Sequence, residues 1–531
     1  MPFVNWGSPC TGNVVSCPSA QLATTNSTMS TQTGSESRIG GVLTGMLPEV
    51  QLRVASPHTP VLCVDLDGTL IKSDLLWECI LVLLKTAPWS LFMVPFWLLE
   101  GTANLKRELA NRVGIKPSNL PFHSEVLEFL REQRASARVI VLATAADRLL
   151  ADAVAAHLEL FDEVCASDGK LNLRGAEKAK LLSDLFQEQG YEYVGDSDSD
   201  IEVWHSARAA YVVGDEELVR RAAAVTEVRQ VFSPPHPSLK TWIQALRGHH
   251  WFKNVLLFLP LALAHRLTIS NLLSTATGFV LFGICASGLY IMNDLLDLHS
   301  DRGHPWKHKR PFAAGDISIP GGLLTSCIFL AGSLALAFLL SAPFAITLCF
   351  YAVLTMWYSV SLKKAVLLDV FVLSGFYSIR LLAGALITNI PLSQWFLVFS
   401  LFFFLSLAMA KRYSELVHAE QLVKNGESGR GYIGNDREVL LVLGIASSFA
   451  SVIILSLYVH SQEVGILYHS PEPLLLLCPI ILYWLSRLWL KAHRGDLYED
   501  PITLAIRDPV SYVVGAASAL AIAASVLGIG A

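Results

Sequence analysis

The sequence predicts a multi-domain fold, in which an α/β domain with a parallel sheet precedes an all-α transmembrane bundle of about nine helices. Two observations predict this arrangement. Between residues 56 and 230, short β-type runs alternate with helical stretches, which is typical of doubly wound sheets. From about residue 250 onward, apolar segments of roughly twenty residues recur, each long enough to cross a bilayer as a helix.

The overall composition agrees with a membrane protein. The chain has 531 residues, 53% of them hydrophobic, and a mean hydropathy of +0.46, which is too apolar for a wholly soluble protein. The formal net charge of −5 argues against nucleic acid as a partner, because binding to phosphate backbones needs concentrated basic residues. The nine cysteines lack paired spacing, so we expect reduced thiols, as in a domain that faces the cytosol.

Residues 1–55 are predicted to form a disordered leader. They are rich in Ser, Thr and Gly and show no sustained hydrophobic period. They also lack a basic stretch followed by a compact apolar segment, so a secretory signal is not expected. The α/β domain is then assigned to residues 56–230 and the transmembrane domain to residues 231–531.

Four runs in the α/β domain are predicted as strands, and each ends in or beside a polar group. They are Pro60–Asp65, Ala137–Ala143, Tyr191–Gly195 and Ala209–Val213. In parallel sheets the chemistry lies at the carboxyl ends of the strands. These ends are therefore the first place to look for a site.

The segment Asp65-Leu-Asp67-Gly-Thr follows the first of these runs and places two carboxylates on one tight turn. This pattern favours covalent phosphoryl transfer, in which Asp65 attacks phosphorus and Asp67 protonates the leaving oxygen and then activates water. Gly68 permits close approach of the backbone to phosphoryl oxygens. The motif alone is only moderately specific, because acidic turns after strands are common.

Three further elements complete the pattern. Thr144 follows the second run, where a hydroxyl can hold a phosphoryl oxygen, and Lys178 can neutralise charge in the transition state. Asp196 and Asp200 follow the third run and offer the hard oxygen ligands that Mg²⁺ prefers.

In this order, the four elements resemble the haloacid dehalogenase (HAD) superfamily of phosphatases over about 170 residues. The resemblance implies that Asp65 is the nucleophile, Asp67 the acid and base, and Thr144 and Lys178 the phosphoryl clamps. It also implies a Mg²⁺ site formed by Asp65, Asp67, Asp196 and Asp200. The alternative is a structural domain of the same fold without activity.

An apolar cap insertion is predicted near residues 76–115, between the first two motifs. Lys85, Pro88 and Pro95 argue against a simple membrane span there. We expect a helical hairpin that lies in the membrane interface or packs on the transmembrane domain, which would suit a lipid-anchored substrate. Ordinary cap core is the alternative.

Nine spans are predicted in the transmembrane domain: 254–269, 271–292, 318–340, 343–361, 366–388, 392–410, 438–460, 472–490 and 509–530. Basic residues fall on alternate connections, with Arg266 the exception, so the polar, motif-bearing face is predicted to be cytoplasmic. An odd number of spans then places the α/β domain and both candidate sites in the cytosol and the C-terminus outside.

The end of the second span carries an acidic motif, Asn293-Asp294-Leu-Leu-Asp297-Leu-His-Ser-Asp301. Residues at this spacing are expected to line one helical face. Clustered carboxylates near a membrane are costly unless a cation joins them, and Mg²⁺ bridging to a diphosphate is the economical explanation. The alternative is a solvated acidic helix end.

This motif, followed by a basic Arg310-Pro311 pair, closely resembles the UbiA superfamily of intramembrane prenyltransferases. In aromatic prenyltransferases of that family, a second acidic pair on a later loop binds another Mg²⁺. The corresponding loop here has Lys411, Arg412 and Glu415 and no Asp pair. That exchange converts a cation site into an anion site, which indicates two phosphorylated substrates.

Such a pattern is similar to the polyprenyl-phosphate phosphoribosyltransferases of the superfamily. The resemblance implies transfer of 5-phosphoribose from phosphoribosyl diphosphate (PRPP) to a polyprenyl phosphate, with Mg²⁺ as cofactor. The candidate substrate-binding residues are Lys253, Asn254, Arg302, Lys307, Lys309, Arg310, Tyr358, Lys364, Arg380, Lys411, Arg412 and Glu415. For Lys253, Asn254 and Arg380 the alternative is a snorkelling anchor.

The two halves would then act in succession, because the transfer product carries a phosphomonoester that a HAD phosphatase hydrolyses. Two alternatives stay open. One is prenyl transfer from a prenyl diphosphate to an aromatic or other acceptor, beside a phosphatase of separate function. The other is a membrane-tethered regulator with a scaffold transferase half. A homo-oligomer is compatible with the sequence, which does not fix the oligomeric state.

Overall fold

The computed structural model describes residues 59–187, 189–233, 237–422, 431–497 and 501–528. The predicted leader, residues 1–55, lies outside the described residues.

The α/β domain is built on a six-stranded, wholly parallel sheet with the order β3-β2-β1-β4-β5-β6. The strands are β1 (Val61–Val64), β2 (Ile140–Asp147), β3 (Glu163–Ser167), β4 (Tyr191–Gly195), β5 (Ala210–Val213) and β6 (Val228–Phe232). The four predicted strands are confirmed as β1, β2, β4 and β5. Sequence patterning missed the two edge strands, and β6 runs past the predicted domain boundary at residue 230.

Helices cover both faces of this sheet. They are α1 (Leu75–Thr86), α2 (Val94–Leu99), α3 (Thr102–Arg112), α4 (Ser124–Ala135), α5 (Arg148–Leu158), α6 (Ala176–Leu185), α7 (Ile201–Ser206) and α8 (Glu216–Ala223). Short 3₁₀ helices occur at Pro88–Met93, Pro117–Asn119 and Asp198–Asp200.

The central strand β1 shows how the sheet is held. All four of its residues are buried, and their side chains alternate between two cores. Leu62 and Val64 pack in one core, while Val61 and Cys63 pack in the core on the other face. Burial on both faces fixes β1 in the middle of the sheet, with Asp65 at its carboxyl end.

The transmembrane domain is all-α. Its helices are α9 (Leu239–Leu246), α10 (Leu259–Leu263), α11 (Ile269–Leu296), α12 (Leu298–Arg302), α13 (Ile319–Leu340), α14 (Ala342–Val360), α15 (Leu368–Thr388), α16 (Gln394–Leu422), α17 (Asp436–Val459), α18 (Gln462–Leu467), α19 (Leu477–Arg494), α20 (Pro501–Arg507) and α21 (Pro509–Leu527). Further 3₁₀ helices lie at Gly248–Phe258, Lys307–Lys309, Leu362–Lys364 and Glu472–Leu476. Among the described residues, eight helices are long and apolar enough to cross a membrane.

The first predicted span, 254–269, differs from the prediction because it is not one long α-helix. The 3₁₀ helix Gly248–Phe258 leads into the short α10, and Pro260 lies at the start of α10. Together these two helices extend about 30 Å, which is close to the thickness of a bilayer core. Close packing accounts for the irregularity, since a Cβ on Gly384 of α15 would lie 2.1 Å from the carbonyl oxygen of Leu257.

Side-chain contacts show that this segment runs antiparallel to α11. Arg247 pairs with Asp294 near the end of α11, and Trp251 donates to Ser287 at 2.9 Å. Phe258 lies against Phe279, nearer the start of α11. The segment therefore carries the chain from the acidic end of α11 to its opposite end, and the α/β domain lies beside the acidic motif.

The predicted cap is present as α1, α2 and α3, and α1 packs on the transmembrane domain. Trp77 and Leu81 of α1 join an apolar cluster with Ile291 and Leu295 of α11. The following segment, Pro88–Leu99, leaves several large apolar side chains exposed. These are Trp89, Phe92, Met93, Phe96, Leu98 and Leu99.

A buried ion pair joins the two domains within this apolar contact. Glu78 of α1 is fully buried, and its Oε1 accepts from Nη2 of Arg302 at 2.7 Å. The same guanidinium donates to the backbone oxygens of Ala313 and Asn119. All three guanidinium nitrogens of Arg302 are committed to the domain interface in this structure, and its role as a phosphate ligand stays a prediction that these contacts do not support.

Replacing Glu78 with alanine should loosen α1 from the membrane bundle. Loss of one partner from a buried pair costs about 3–5 kcal/mol, because the remaining charge stays uncompensated. Hydrogen exchange should show faster amide exchange in residues 75–86. Glu108→Ala, which breaks the more exposed pair with Arg112 on α3, is the matched control and should leave α1 unchanged. Equal protection of α1 in Glu78→Ala and the wild type would contradict this role.

Candidate active sites

The first site lies at the carboxyl end of β1, where Asp65 is held by a buried lysine. The Nζ of Lys178 lies 2.8 Å from Oδ2 of Asp65, and both side chains are largely shielded from solvent. The other carboxylate oxygen accepts from the backbone N–H of Leu66 at 2.7 Å. Lys178 lies in the first turn of α6. Two elements far apart in sequence, β1 and α6, therefore position the carboxylate of Asp65.

Asp200 supports the structure of this site, because both of its carboxylate oxygens already accept hydrogen bonds from the protein. Its Oδ2 accepts from the N–H of Asp196 and from the N–H and hydroxyl of Ser197. Its Oδ1 accepts from the hydroxyl of Tyr193 at 3.0 Å, and that same hydroxyl contacts Lys178 at 2.6 Å. Sequence reasoning missed Tyr193, which lies in a strand without a distinctive motif.

Asp196 faces the turn that carries Asp65. Its Oδ1 accepts from the hydroxyl of Thr69 at 2.9 Å. A Cβ on Gly68 would lie 2.0 Å from Oδ2 of Asp196, and Gly68 has φ of +77°. Glycine is therefore required on both steric and conformational grounds at this position.

These carboxylates fit a divalent cation. Oxygens of Asp65, Asp196 and Asp200 all lie within 4.8 Å of one another. Burial, together with the neighbouring carboxylates, raises the pKa of both Asp65 and Asp196. A cation among them would offset that cost, so Asp65 and Asp196 are the residues that would hold Mg²⁺.

Asp67 points under the cap. Its Oδ1 accepts from the N–H of Leu75 at the start of α1, and burial raises the pKa of Asp67 to about 8. A carboxyl group that stays protonated near neutral pH suits a general acid. The space beside it measures about 10 Å³, room for about one water, because Cys79 and Lys106 of the cap close over it.

Thr144 lies fully buried in β2, and its Oγ1 accepts from the N–H of Ala146 at 3.0 Å. Lys106, which the sequence did not single out, donates to the carbonyl oxygen of Ala145 at 2.6 Å. The cap therefore contributes a cation to the neighbourhood of the predicted phosphoryl clamp.

The second site lies at the end of α11, where two of the motif carboxylates share one guanidinium. Arg310 contacts Asp294 at 3.1 Å and Asp301 at 2.5 Å. Asp294 is also paired with Arg247, and Lys307 approaches Asp301 at 4.0 Å. Of the basic residues predicted in the segment after α12, Arg310 and Lys307 are the ones that approach the motif carboxylates.

Asp297 is held by other cations. Lys85 of α1 lies 2.9 Å from its Oδ1, and Lys363 lies 2.7 Å from its Oδ2. The expectation that the four motif residues line one face is therefore corrected. Asp297 is the non-helical junction between α11 and α12, and it binds a separate set of ammonium groups. Asn293, one turn earlier, is partly buried.

Two predicted basic ligands point elsewhere. Lys309 and Lys364 are exposed, whereas their neighbours Lys307 and Lys363 approach the carboxylates. The 3₁₀ turns Lys307–Lys309 and Leu362–Lys364 set which lysine of each run faces inward, and this cannot be read from the order of residues alone.

In the later loop, which carries Lys411, Arg412 and Glu415, the basic charge is less available to a ligand than the sequence indicates. Arg412 is buried, and its guanidinium contacts the carboxylates of Asp369 and Glu415 and the hydroxyl of Tyr358. The expected basic wall is corrected on this point, because Arg412 is neutralised by two acids. Lys411, its neighbour, is partly exposed.

Arg380 is a buried group inside the bundle and not a snorkelling anchor. Its Nε donates to Oδ1 of Asn254 at 3.0 Å, and Nη2 donates to the hydroxyl of Tyr351 at 3.1 Å. The amide nitrogen of Asn254 is buried without a hydrogen-bond partner among the described residues. Such a donor costs about 1–3 kcal/mol unless something accepts from it.

Comparison with known proteins follows the same division of the chain. The haloacid dehalogenase-like hydrolase model matches residues 62–205, and the UbiA prenyltransferase family model matches residues 254–428. The protein y4nM of Sinorhizobium fredii is 39% identical over 86% of this chain and 89% of its own length. The chain therefore belongs to the same family as y4nM. In it, a HAD-like hydrolase domain is fused to a UbiA-family membrane domain.

Two other relatives match part of the chain. Nodulation protein NoeC of Azorhizobium caulinodans is 36% identical over 51% of this chain and 89% of its own length. The decaprenyl-phosphate phosphoribosyltransferase of Mycolicibacterium smegmatis is 34% identical over 37% of this chain and 63% of its own length.

An apolar groove opens on the side of the UbiA-like domain near Lys253. It consists of two adjoining cavities of about 360 and 440 Å³ that share Leu256, Leu259, Phe403 and other apolar residues. Lys253 lines the second cavity and lies over the ring of Tyr377 at 5.8 Å. The groove thus combines apolar walls with a cation at one end.

Gly68→Ala should abolish most phosphatase activity of the HAD-like domain while leaving its fold intact. The added methyl group would displace Asp196, and a displacement of about 1 Å at a reacting group can cost roughly 10²-fold in rate. Hydrolysis of p-nitrophenyl phosphate measures the loss.

Gly114→Ala is the matched control, because a Cβ there meets no atom within 4 Å. It should hydrolyse the ester like the wild type. If Gly68→Ala also did so, the proposed placement of Asp196 against the nucleophile turn would be wrong.

Proposed function

We propose that the UbiA-like domain transfers 5-phosphoribose from PRPP to a polyprenyl phosphate, and that the HAD-like domain then removes the 5-phosphate. Both sites would face the cytosol at the inner membrane, because the α/β domain contacts the acidic end of α11. Decaprenyl-phosphate phosphoribosyltransferases among the relatives support this choice of substrates.

The charge balance at the end of α11 is the observation that carries the proposal. In the part of the chain that the structure describes, five basic side chains approach three carboxylates there, so positive charge predominates. The bases are Lys85, Arg247, Lys307, Arg310 and Lys363, and the acids are Asp294, Asp297 and Asp301. These basic side chains are between 18% and 43% exposed, so an anion such as a diphosphate can reach them and balance the positive charge.

The second phosphorylated substrate would lie between the apolar groove and the buried polar group beside it. Lys253, which lines the groove, and the amide of Asn254, which has no hydrogen-bond partner among the described residues, would bind the lipid phosphate, and the groove walls would hold the isoprenoid chain. Arg380 holds Asn254 in place by its 3.0 Å contact with Oδ1.

Transfer requires one bond to form and one to break. An oxygen of the polyprenyl phosphate attacks C1 of the ribose, and the bond from C1 to the diphosphate oxygen breaks with its electron pair on the pyrophosphate. Arg310, Lys307 and Lys363 stabilise the charge of that leaving group. Asp294, Asp297 and Asp301 are the carboxylates proposed to hold Mg²⁺, which would have to displace the cations paired with them here and would then bind the pyrophosphate oxygens.

Removal of the 5-phosphate uses the first site. Asp65 attacks phosphorus while Asp67 gives its proton to the ribose oxygen that leaves. Lys178 stabilises charge on the phosphoryl oxygens, and Asp67 then takes a proton from the water that hydrolyses the aspartyl-phosphate. Mg²⁺ held by Asp65 and Asp196 would shield the negative charges that must approach each other.

Asp65→Asn should separate the two steps. The purified full chain, incubated with PRPP, Mg²⁺ and a polyprenyl phosphate, should give the dephosphorylated ribosyl lipid with wild-type protein. Asp65→Asn should instead accumulate the 5-phosphorylated lipid, because a carboxamide is a poor nucleophile. Mass spectrometry of the extracted lipids distinguishes the two products.

Asp297→Asn is the companion variant and should form neither lipid. Full activity of Asp297→Asn would show that this carboxylate is not needed for transfer, whereas absence of any transfer by the wild-type protein would favour the scaffold alternative. If PRPP gave no product while a prenyl diphosphate prenylated an aromatic acceptor, the alternative of prenyl transfer would replace this proposal.

Lys253→Ala should weaken binding of the lipid acceptor. Loss of one charge-assisted hydrogen bond is expected to raise the KM for polyprenyl phosphate about tenfold or more, with little change for PRPP. Arg266→Ala, which removes an exposed charge from the opposite end of the bundle, should change neither value. Unchanged lipid KM in Lys253→Ala would remove this residue from the acceptor site.

A further inference from the structure

Helix α1 of the cap reaches both candidate sites. At its start, the N–H of Leu75 donates to Oδ1 of Asp67 at 2.9 Å. Near its end, the Nζ of Lys85 lies 2.9 Å from Oδ1 of Asp297. A helix of 12 residues is about 18 Å long, so one rigid element joins the hydrolase site to the membrane site.

Lys85 shares its carboxylate with a second cation. Asp297 accepts from Lys363 through both oxygens, at 3.0 and 2.7 Å, in addition to its contact with Lys85. One carboxylate cannot neutralise two ammonium groups, and the Asp297 side chain is only 18% exposed. This corner of the site therefore carries a positive charge that an anion would balance.

We propose that Lys85 is a substrate-binding residue of the membrane site, and that the HAD-like cap thereby completes the diphosphate site of the UbiA-like domain. This rests on the proposed diphosphate donor. An ammonium group has three donors, and one of them reaches Asp297. The remaining two donors of Lys85 are the ones that would bind a diphosphate beside Asp297.

The packing of α1 explains how a residue from one domain is positioned in the site of the other. Trp77 and Leu81 are held in the apolar cluster against Ile291 and Leu295, and Glu78 is locked to Arg302. These contacts lie one to two turns before Lys85 on the same helix. They fix the rotation of α1, so Lys85 is directed at Asp297.

Binding of inorganic pyrophosphate to the full chain tests this role without any turnover. Isothermal titration calorimetry in the presence of Mg²⁺ should show Kd about tenfold higher in Lys85→Gln than in the wild type, because a charge-assisted hydrogen bond is lost. Lys85→Arg, which keeps the charge, should restore most of the affinity. Lys180→Gln removes an exposed charge on α6 and should bind like the wild type.

Equal or tighter binding of pyrophosphate in Lys85→Gln would overturn the proposal, since Lys85 would then only block the acidic motif. The result is separable from the question of the substrate. A wild-type protein that binds pyrophosphate through Lys85 but forms no ribosyl lipid would leave the role of Lys85 standing and remove the phosphoribosyl transfer.

Discussion

Buried carboxylates that must be matched by cations determine both sites of this protein. Asp65 needs Lys178, Asp294 and Asp301 share Arg310, and Glu78 needs Arg302. Each of these acids is removed from water, so it would lose a large part of its solvation energy without a partner. The cations come from distant parts of the chain, and the fold is what brings them together. The same interactions that locate the domains therefore also set the charge of the sites.

Sequence reasoning worked best where a local pattern determines local structure. Alternation and burial on both faces located β1, β2, β4 and β5, and the acidic turn after β1 located Asp65 and Asp67. The edge strands β3 and β6 were missed because their mixed burial gives a weak pattern. The segment before α11 was assigned to a simple helix because close packing against Gly384, and not its composition, makes it irregular.

The membrane site was harder to predict from the sequence, because its electrostatics depend on ion pairs between residues that are far apart in the chain. The sequence suggests that Arg412 is a phosphate ligand. In the structure, Asp369, which lies 43 residues earlier, neutralises its charge. In the sequence, Lys85 is only a charged residue within an apolar cap. The structure shows that it contacts Asp297, which lies 212 residues later in the chain. No spacing rule predicts either contact, because each depends on how two packed helices are rotated about their axes.

The shared helix α1 also limits how the two reactions can be joined. Helix α1 is about 18 Å long, which is longer than one sugar phosphate, and it contacts Asp67 at its start and Asp297 near its end. Under the proposed function, a ribosyl lipid formed beside Asp297 would have to leave that position before its phosphate reached Asp65. The cap has room for about one water over Asp67, so it must also open. In that reaction sequence, the fusion would keep the lipid product near the hydrolase at high effective concentration, and no closed tunnel between the sites would be required.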